Sequence, residues 1–379
     1  MSTDSNVITV AKPHTIKKFE LIERYVDEWA RKILGNAQSK GIVFIDCMSN
    51  SGYYYDVDGN LIEGTAVRVA KRLNTIIENY PRKQAWLYFN DIDPRRVNYL
   101  QKSLAELKLS NVTIEYSISD CDAFLKDYDL SKHRYVNTLM IYDPYDAHID
   151  WAAVTPFMKT WGEVILNHMV QDTARGATVA TRTVTIGKYQ NTYQKTLEEI
   201  LAFNGDRQKL DAAIVALIKD QIADSKRDHY IASFPFFNRN NGQVYNLIFC
   251  SSNVAGIKLF KKAAWKTFGN KSSLKDTHGE EQQLALDLDG TGECTVVSDE
   301  GCYYVQDIAK YIHDRFYTVD KIRLQEVYDV LDKHPIFPTD GYKQEIKKCL
   351  AELYHAKIIG KGENAEIVFQ HYSNGIIKD

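Results

Sequence analysis

At 379 residues the chain is too long for one compact core, so two domains are expected. A formal net charge of −3 excludes an indiscriminate coat on nucleic acid, no apolar run approaches a membrane span, and the polar start at residues 1–6 lacks signal-peptide shape. Cysteines stand at 47, 121, 250, 294, 302 and 349 without a Cys-x-x-Cys pair, which argues against a zinc or iron–sulfur site and fits a reducing cytoplasm.

In chain order, residues 42–45 are an apolar run of strand length ending in Asp46. A small-residue turn follows, with Cys47, Ser49, Asn50, Ser51 and Gly52. An apolar parallel strand running into such a loop is where doubly wound sheets place a nucleotide-like ligand, and Gly52 would let backbone approach it closely. The alternative is a strand–Asp–Gly turn kept for packing. Residues 84–90 read as a second strand leading into Asp91-Ile92-Asp93-Pro94. Asp93 precedes Pro94 and suits a helix N-cap, which leaves Asp91 as the better ligand for vicinal ribose hydroxyls.

Residues 112–117 read as a third strand, followed by Ser119-Asp120-Cys121-Asp122 opening a short helix. A fourth strand at 136–142 ends in Asp143-Pro144-Tyr145-Asp146, and a fifth covers 164–168. Strands alternating with helices imply an α/β fold with a parallel sheet covered on both faces. Acids at the ends of four successive strands are expected to converge on one crevice: Asp46, Asp91, Asp120 or Asp122, and Asp143.

Helical periodicity then covers 191–202 and 206–223. Asn238-Arg239-Asn240-Asn241-Gly242 separates two aromatic-rich runs, 229–237 and 243–250, a strong hairpin signal. From 256 to 275 there are six lysines and no acid, with Trp265 and Phe268 among them. Lys258, Lys261 and Lys262 could lie along phosphates, or the stretch could be a solvated helix face with both aromatics in the core. Residues 276–300 carry eight acids and no lysine or arginine, so 271–300 reads as an acidic linker. Helical patterns at 305–316, 324–334 and 341–356 and a terminal hairpin suggest a winged-helix-like domain over 301–379. Its third helix would turn Lys343, Lys347 and Lys348 to a nucleic-acid groove, or the unit would dock a partner.

The order strand–Asp–small loop, strand–Asn-Asp, Ser-Asp-Cys-Asp, Asp-Pro-Tyr resembles a Rossmann-like class I S-adenosylmethionine-dependent methyltransferase. More narrowly, residues 12–268 resemble the three-Cys-motif partner proteins (TcmP). The carrying segments are Lys12-Pro13-His14-Thr15-Ile16-Lys17-Lys18, Phe44-Ile45-Asp46 through Ser51-Gly52-Tyr53, Glu63-Gly64-Thr65-Ala66, Val164-Ile165-Leu166-Asn167 and Tyr245-Asn246-Leu247-Ile248-Phe249. This resemblance implies an S-adenosylmethionine pocket, kinship with adenine-N6 methyltransferases and association with a cysteine-motif partner protein. It also implies that the sheet ends in the antiparallel hairpin, closing a domain near residue 270, and that the helical insertion 172–227 faces the acceptor. Against the Asp/Asn-Pro-Pro-Tyr/Phe signature of amino-methyltransferases, Asp143 and Pro144 match. Tyr145 stands in the second proline's place and Asp146 in the aromatic's.

Two functions are therefore expected as alternatives. In the first, the chain methylates a nucleic-acid base, DNA or RNA: Asp46, Cys47, Ser49, Asn50, Ser51 and Gly52 lie under S-adenosylmethionine and Asp91 holds its ribose. Asp120 or Asp122 meets its adenine, while Asp143, Pro144, Tyr145 and Asp146 form the acceptor site. In the second, the fold is a cofactor-binding or nucleic-acid-sensing subunit of a larger assembly, without turnover.

Overall fold

A computed structural model describes residues 7–160, 162–275 and 301–369. Most of the expected acidic linker, 276–300, and the end of the chain beyond 369 lie outside the described residues.

The amino-terminal elements are β1 (Thr9–Val10), α1 (Pro13–Gly35), β2 (Gly41–Asp46), β3 (Tyr53–Tyr55), β4 (Leu61–Glu63), α2 (Thr65–Ile77), β5 (Gln84–Asp91), α3 (Pro94–Glu106), β6 (Thr113–Ile118), α4 (Cys121–Asp127), β7 (Asn137–Tyr142), α5 (Trp151–Met158) and β8 (Gly162–His168). Next come α6 (Val170–Gly176), α7 (Thr183–Tyr193), α8 (Leu197–Leu201), α9 (Arg207–Gln221), β9 (Tyr230–Phe237), β10 (Gln243–Ser251) and α10 (Val254–Thr267). A carboxy-terminal unit follows with α11 (Val305–Phe316), β11 (Ile322–Arg323), α12 (Leu324–Lys333), α13 (Lys343–Tyr354), β12 (Lys357–Ile359) and β13 (Glu366–Val368).

Seven strands form the main sheet in the order β6-β5-β2-β7-β8-β10-β9. The pairs β6–β5, β5–β2, β2–β7 and β7–β8 are parallel, while β10 runs antiparallel to both β8 and β9. The central strand β2 is buried along its whole length, which is why it reads as a continuous apolar run without alternation. Its side chains still divide by parity: Ile42 and Phe44 enter one apolar cluster with α1, α2 and α10, Val43 and Ile45 the other with α4, α5 and α9. The chain leaves β2 in one direction to build β5 and β6, and β7 and β8 then grow from its other edge. The topological switch point therefore lies between the carboxyl ends of β2 and β7, where such sheets open a ligand crevice.

Several expectations change at the level of elements. The helix expected over 191–202 is two pieces: α7 ends at Tyr193, Gln194 turns left-handed at φ 49°, and Thr196 and Glu199 form a reciprocal capping box that starts α8. A small sheet in the order β1-β3-β4 was not expected, its strands being too short for a periodic signal. Trp265 and Phe268 lie in the core, as the bland alternative for the lysine-rich helix had it.

The carboxy-terminal unit packs α11 against α13 and carries a small antiparallel sheet in the order β11-β13-β12. Its apolar residues Ile308, Val327, Leu331, Ile346 and Ile367 are continuous with the α10 side of the main core. At the seam the Trp265 indole donates to the carbonyl of Ile336 at 3.0 Å. No helix among the described residues is long and apolar enough to cross a membrane.

Candidate functional site

Three strand-end acids meet at the switch point. Asp46 closes β2, Asp91 closes β5, and Asp143 follows β7. Asp46 is buried, and its carboxyl is pushed up to about 7, first by burial and then by the nearby Asp143 carboxylate. The amide of Met48 donates to it at 3.3 Å and pulls the other way.

The loop after β2 is pinned by its own polar groups. Ser49 donates to the carbonyl of Asn90 through its amide at 2.8 Å and its hydroxyl at 3.1 Å. Asn50 turns left-handed at φ 55° and its amide donates to Asp91 Oδ2 at 3.0 Å. Asp91 Oδ1 accepts from the amide of Asp93 at 2.9 Å, with Arg96 Nη1 3.8 Å away. Gly52 has φ +76°, and a Cβ there would meet Leu100 Cδ1 at 2.5 Å and Val67 Cγ2 at 2.8 Å. Its glycine is thus accounted for by the turn and by packing on α2 and α3, where the sequence suggested closeness to a ligand.

Across the crevice, Asp143 is held between two groups that the sequence reading quoted without assigning a role. Lys18 of α1 forms an ion pair with Oδ2, and Asn167 at the end of β8 donates to Oδ1 at 2.5 Å. Asn167 Oδ1 is buried without a hydrogen-bond partner. Tyr245 lies beneath this group: Lys18 Nζ sits 5.2 Å from its ring, and its hydroxyl donates to the carbonyl of His14 at 3.0 Å. Burial, followed by the Asp143 charge, pushes the Tyr245 hydroxyl well up. Tyr54 joins the same crevice, its hydroxyl also raised by burial and then by Tyr145, Asp143 and Asp46.

Pro144 follows Asp143, and the chain bends at residues 145–147. Tyr145 is 63% exposed, yet its hydroxyl spans the crevice to Arg96 Nη1 at 2.6 Å and Asn50 Nδ2 at 3.2 Å. It therefore links the loop after β7 to the Asp91 side. Beside Asp91, Ile92 is 65% exposed, and Ile118, the β6 register partner of Asp91, is 53% exposed. Neither was singled out in the sequence, because one apolar residue at a strand end carries no periodic signal.

Other expected residues have hydrogen-bond partners of their own within the chain. The Cys47 thiol is fully buried between β2 and β7 and donates to the carbonyl of Ile141 at 2.8 Å, so it packs in the core. Ser51 is buried, its hydroxyl donating to the carbonyl of Tyr53 at 3.0 Å. Asp120 caps α4, accepting from the amides of Asp122 and Ala123. Asp122 accepts from the Tyr142 hydroxyl at 2.9 Å and pairs with His148 at 2.9 Å, which raises that imidazole. Asp146 turns from Asp143 toward Lys188, which also binds Asp172.

Of the lysines expected on phosphates, Lys261 is a correction. It is buried and donates to the carbonyls of Leu331, Asp332 and His334 at 2.7, 3.1 and 2.9 Å, capping the end of α12. Burial lowers its ammonium to about 7. Lys258 pairs with Asp332 at 3.0 Å and Lys262 with Glu28 at 2.8 Å, so both are engaged within the chain. On α13, Lys343 lies 4.8 Å from the Tyr328 ring, Lys348 is 3.8 Å from Glu352, and Lys347 is half-buried. Among the described residues no cluster of His, Cys, Asp and Glu could hold a metal ion.

The strand order, with one antiparallel strand next to the far edge, is that of a Rossmann-like, doubly wound sheet closed by a hairpin. No family model matches the sequence, and no curated protein matches it. Solved structures that align include a Legionella pneumophila str. Philadelphia 1 protein at 10% identity and TM-score 0.40, covering 66% of this chain and 92% of that one. A Streptococcus thermophilus rRNA methylase aligns at 9% identity and TM-score 0.30, covering 59% and 93%. Magnesium protoporphyrin IX methyltransferase from Synechocystis PCC 6803, with bound S-adenosylhomocysteine, aligns at 9% and 0.30, covering 62% and 84%.

Proposed function

We propose that this chain is an S-adenosylmethionine-dependent methyltransferase whose acceptor is an amino group of a nucleic-acid base. The observation that supports it most is the division of the switch-point crevice. Asp91 and the loop after β2 lie on one side, and Asp143 with Lys18 and Asn167 on the other.

The residues present fit the cofactor. A carboxylate has about four lone-pair sites. Asp91 gives one to each of two amides, which leaves acceptor capacity for vicinal ribose hydroxyls. Exposed Ile92 and Ile118 offer apolar surface beside Asp91 for an adenine ring, a better match than the capping Asp120 or the paired Asp122. The chemistry supplied by the bound cofactor is an electrophilic methyl group. Tyr145 must give up its contacts with Arg96 and Asn50 to admit it, and its ring is then free to face an acceptor base.

At the acceptor, Asp143 would accept a hydrogen bond from an amino N–H, with Asn167 holding its other oxygen. That would align the nitrogen lone pair with the methyl group and stabilise the positive charge developing on nitrogen. A base in a duplex would first have to leave the stack. We read the carboxy-terminal order helix–strand–helix–helix–strand–strand as a winged helix that contacts nucleic acid or a partner, and residues 12–268 as the part that resembles a three-Cys-motif partner protein, in the reducing cytoplasm.

Titration calorimetry tests the reading. S-adenosylhomocysteine should bind the full chain in the micromolar range, about −8 kcal/mol. Asp91→Ala should weaken it roughly tenfold or more, because two hydrogen bonds to a charged acceptor are lost. An absence of heat with the wild-type chain, or equal affinity in both, refutes the cofactor assignment. One feature favours the alternative, a cofactor-binding subunit without turnover: Asp143 already carries an ion pair with Lys18. Tritium transfer from labelled S-adenosylmethionine to total DNA or RNA separates the two.

A further inference from the structure

A cleft of about 900 Å³ opens where the first turn of α1 meets the β9–β10 turn and the segment after α10. Lys12, Lys17, Arg239 and Lys271 line it together with His14 and Phe237, and no acidic side chain is among its described lining residues. Burial, then Lys12 and Lys18, lowers the His14 imidazole to about 4, so the charge of the cleft at neutral pH comes from the four cations. This is a local excess on a chain whose net charge is −3.

Three independent features give that charge a direction. Lys12 precedes a 23-residue helix whose positive dipole end, at Pro13, opens onto the cleft. Arg239 is exposed at the tip of a turn that Asn238 holds rigid, its side chain accepting from the amides of Asn240 at 2.9 Å and Gly242 at 3.0 Å. The third feature is continuity with the acceptor site. One helical turn separates His14, in the cleft wall, from Lys18, paired with Asp143, and both pack on Tyr245.

We infer that this cleft is the binding track for the sugar–phosphate backbone of a single-stranded nucleic acid, leading a base toward Asp143. Phosphates match a cleft whose described lining residues carry four cations and no acid. The half-buried Phe237 ring offers a face on which a base can stack, which an acidic peptide would not use. The ion pair of Lys17 with Glu20, both side chains about two-fifths exposed, is weak enough for a phosphate to displace. The cleft thus supplies the phosphate contacts first expected from Lys258, Lys261 and Lys262, which are engaged at the carboxy-terminal seam. That the track delivers its base to a methyl donor rests on the methyltransferase reading; that it binds a strand does not.

Fluorescence anisotropy of the full chain with labelled single-stranded DNA and RNA of about 20 nucleotides, across roughly 50 to 200 mM salt, tests this. Binding is expected with at least one of them, and the two arms identify which. The triple variant Lys12→Glu/Arg239→Glu/Lys271→Glu should bind at least about tenfold more weakly, with a salt slope flatter by roughly two, since each phosphate contact on a single strand contributes about 0.7. As a charge control, Lys32→Glu/Lys40→Glu, exposed at and beyond the far end of α1, should bind as the wild type does. S-adenosylhomocysteine affinity, measured in parallel, should be the same in all three, which also reports folding. Should the triple variant not fold, Arg239→Glu alone, at the exposed turn, must still weaken binding severalfold. Wild-type protein that binds neither strand, or a folded triple variant that binds as tightly, overturns the inference. Strand binding without S-adenosylhomocysteine binding would keep the track and remove the methyltransferase reading.

Discussion

The Asp46 carboxyl lies at about 7 in the folded protein, against 3.8 for the free side chain, because it is buried and faces Asp143. The folded state therefore holds this proton more tightly than the unfolded chain does. Stability linked to it is fully present below about pH 3.8 and is lost as pH rises through about 7. The interval between those values, at about 1.4 kcal/mol per pH unit, makes the loss about 4 kcal/mol. Asp46→Asn keeps an oxygen to accept from the Met48 amide but cannot ionise. The variant should match the wild type within about 1 kcal/mol near pH 4.5 and exceed it by roughly 2 to 4 kcal/mol near pH 8. Urea denaturation followed by circular dichroism at several pH values measures the difference. Glu163, also raised to about 7 by burial, is present in both proteins and cancels. A difference that stays constant across pH would show that Asp46 carries no buried charge, and the electrostatic account of the crevice would fail. A gain in stability accompanied by lost cofactor affinity would mark Asp46 as strain kept for function.

Asp143→Ala should abolish tritium transfer from S-adenosylmethionine while S-adenosylhomocysteine affinity stays within a few-fold; equal transfer in both forms would put the chemistry elsewhere. Lys261→Met should cost roughly 2 to 4 kcal/mol in chemical denaturation, because the carbonyls of Leu331, Asp332 and His334 lose their donor. It should leave the salt dependence of strand binding unchanged; a flatter slope would return Lys261 to the phosphate contacts. Gly52→Ala should destabilise by roughly 2 to 4 kcal/mol, from the left-handed backbone and the approach to Leu100 and Val67. An unchanged unfolding midpoint would mean that the turn relaxes freely.

The legible parts of the fold were those written in short-range periodicity and punctuation. The apolar runs became β2, β5, β6, β7 and β8, and the Asn-Gly turn became the β9–β10 hairpin, each within about two residues of the expected bounds. Three lysine-bearing helical patterns near the end became α11, α12 and α13. The region between β8 and β9 was less legible, because Gln194 and Thr196 interrupt a pattern that continues in hydrophobicity across the break.

By itself the sequence determined that Asp46, Asp91 and Asp143 end strands, since an acid closing an apolar run is a local fact. Which side chains face them was decided by tertiary structure. Lys18 and Asp143 are 125 residues apart, and Tyr245 is 231 from His14; no spacing rule spans such distances. The same holds for charge. Six lysines in a row of twenty residues suggested a phosphate face. Packing of α10 against α12 then buried Lys261 beneath carbonyls and paired Lys258 with Asp332, while packing against α1 paired Lys262 with Glu28. Lys12 and Arg239, far apart in sequence, were gathered into one cleft with Lys271 of that same lysine-rich stretch. A side chain's residue type is set locally, but its electrostatic role depends on burial and on partners that only the folded chain brings within reach.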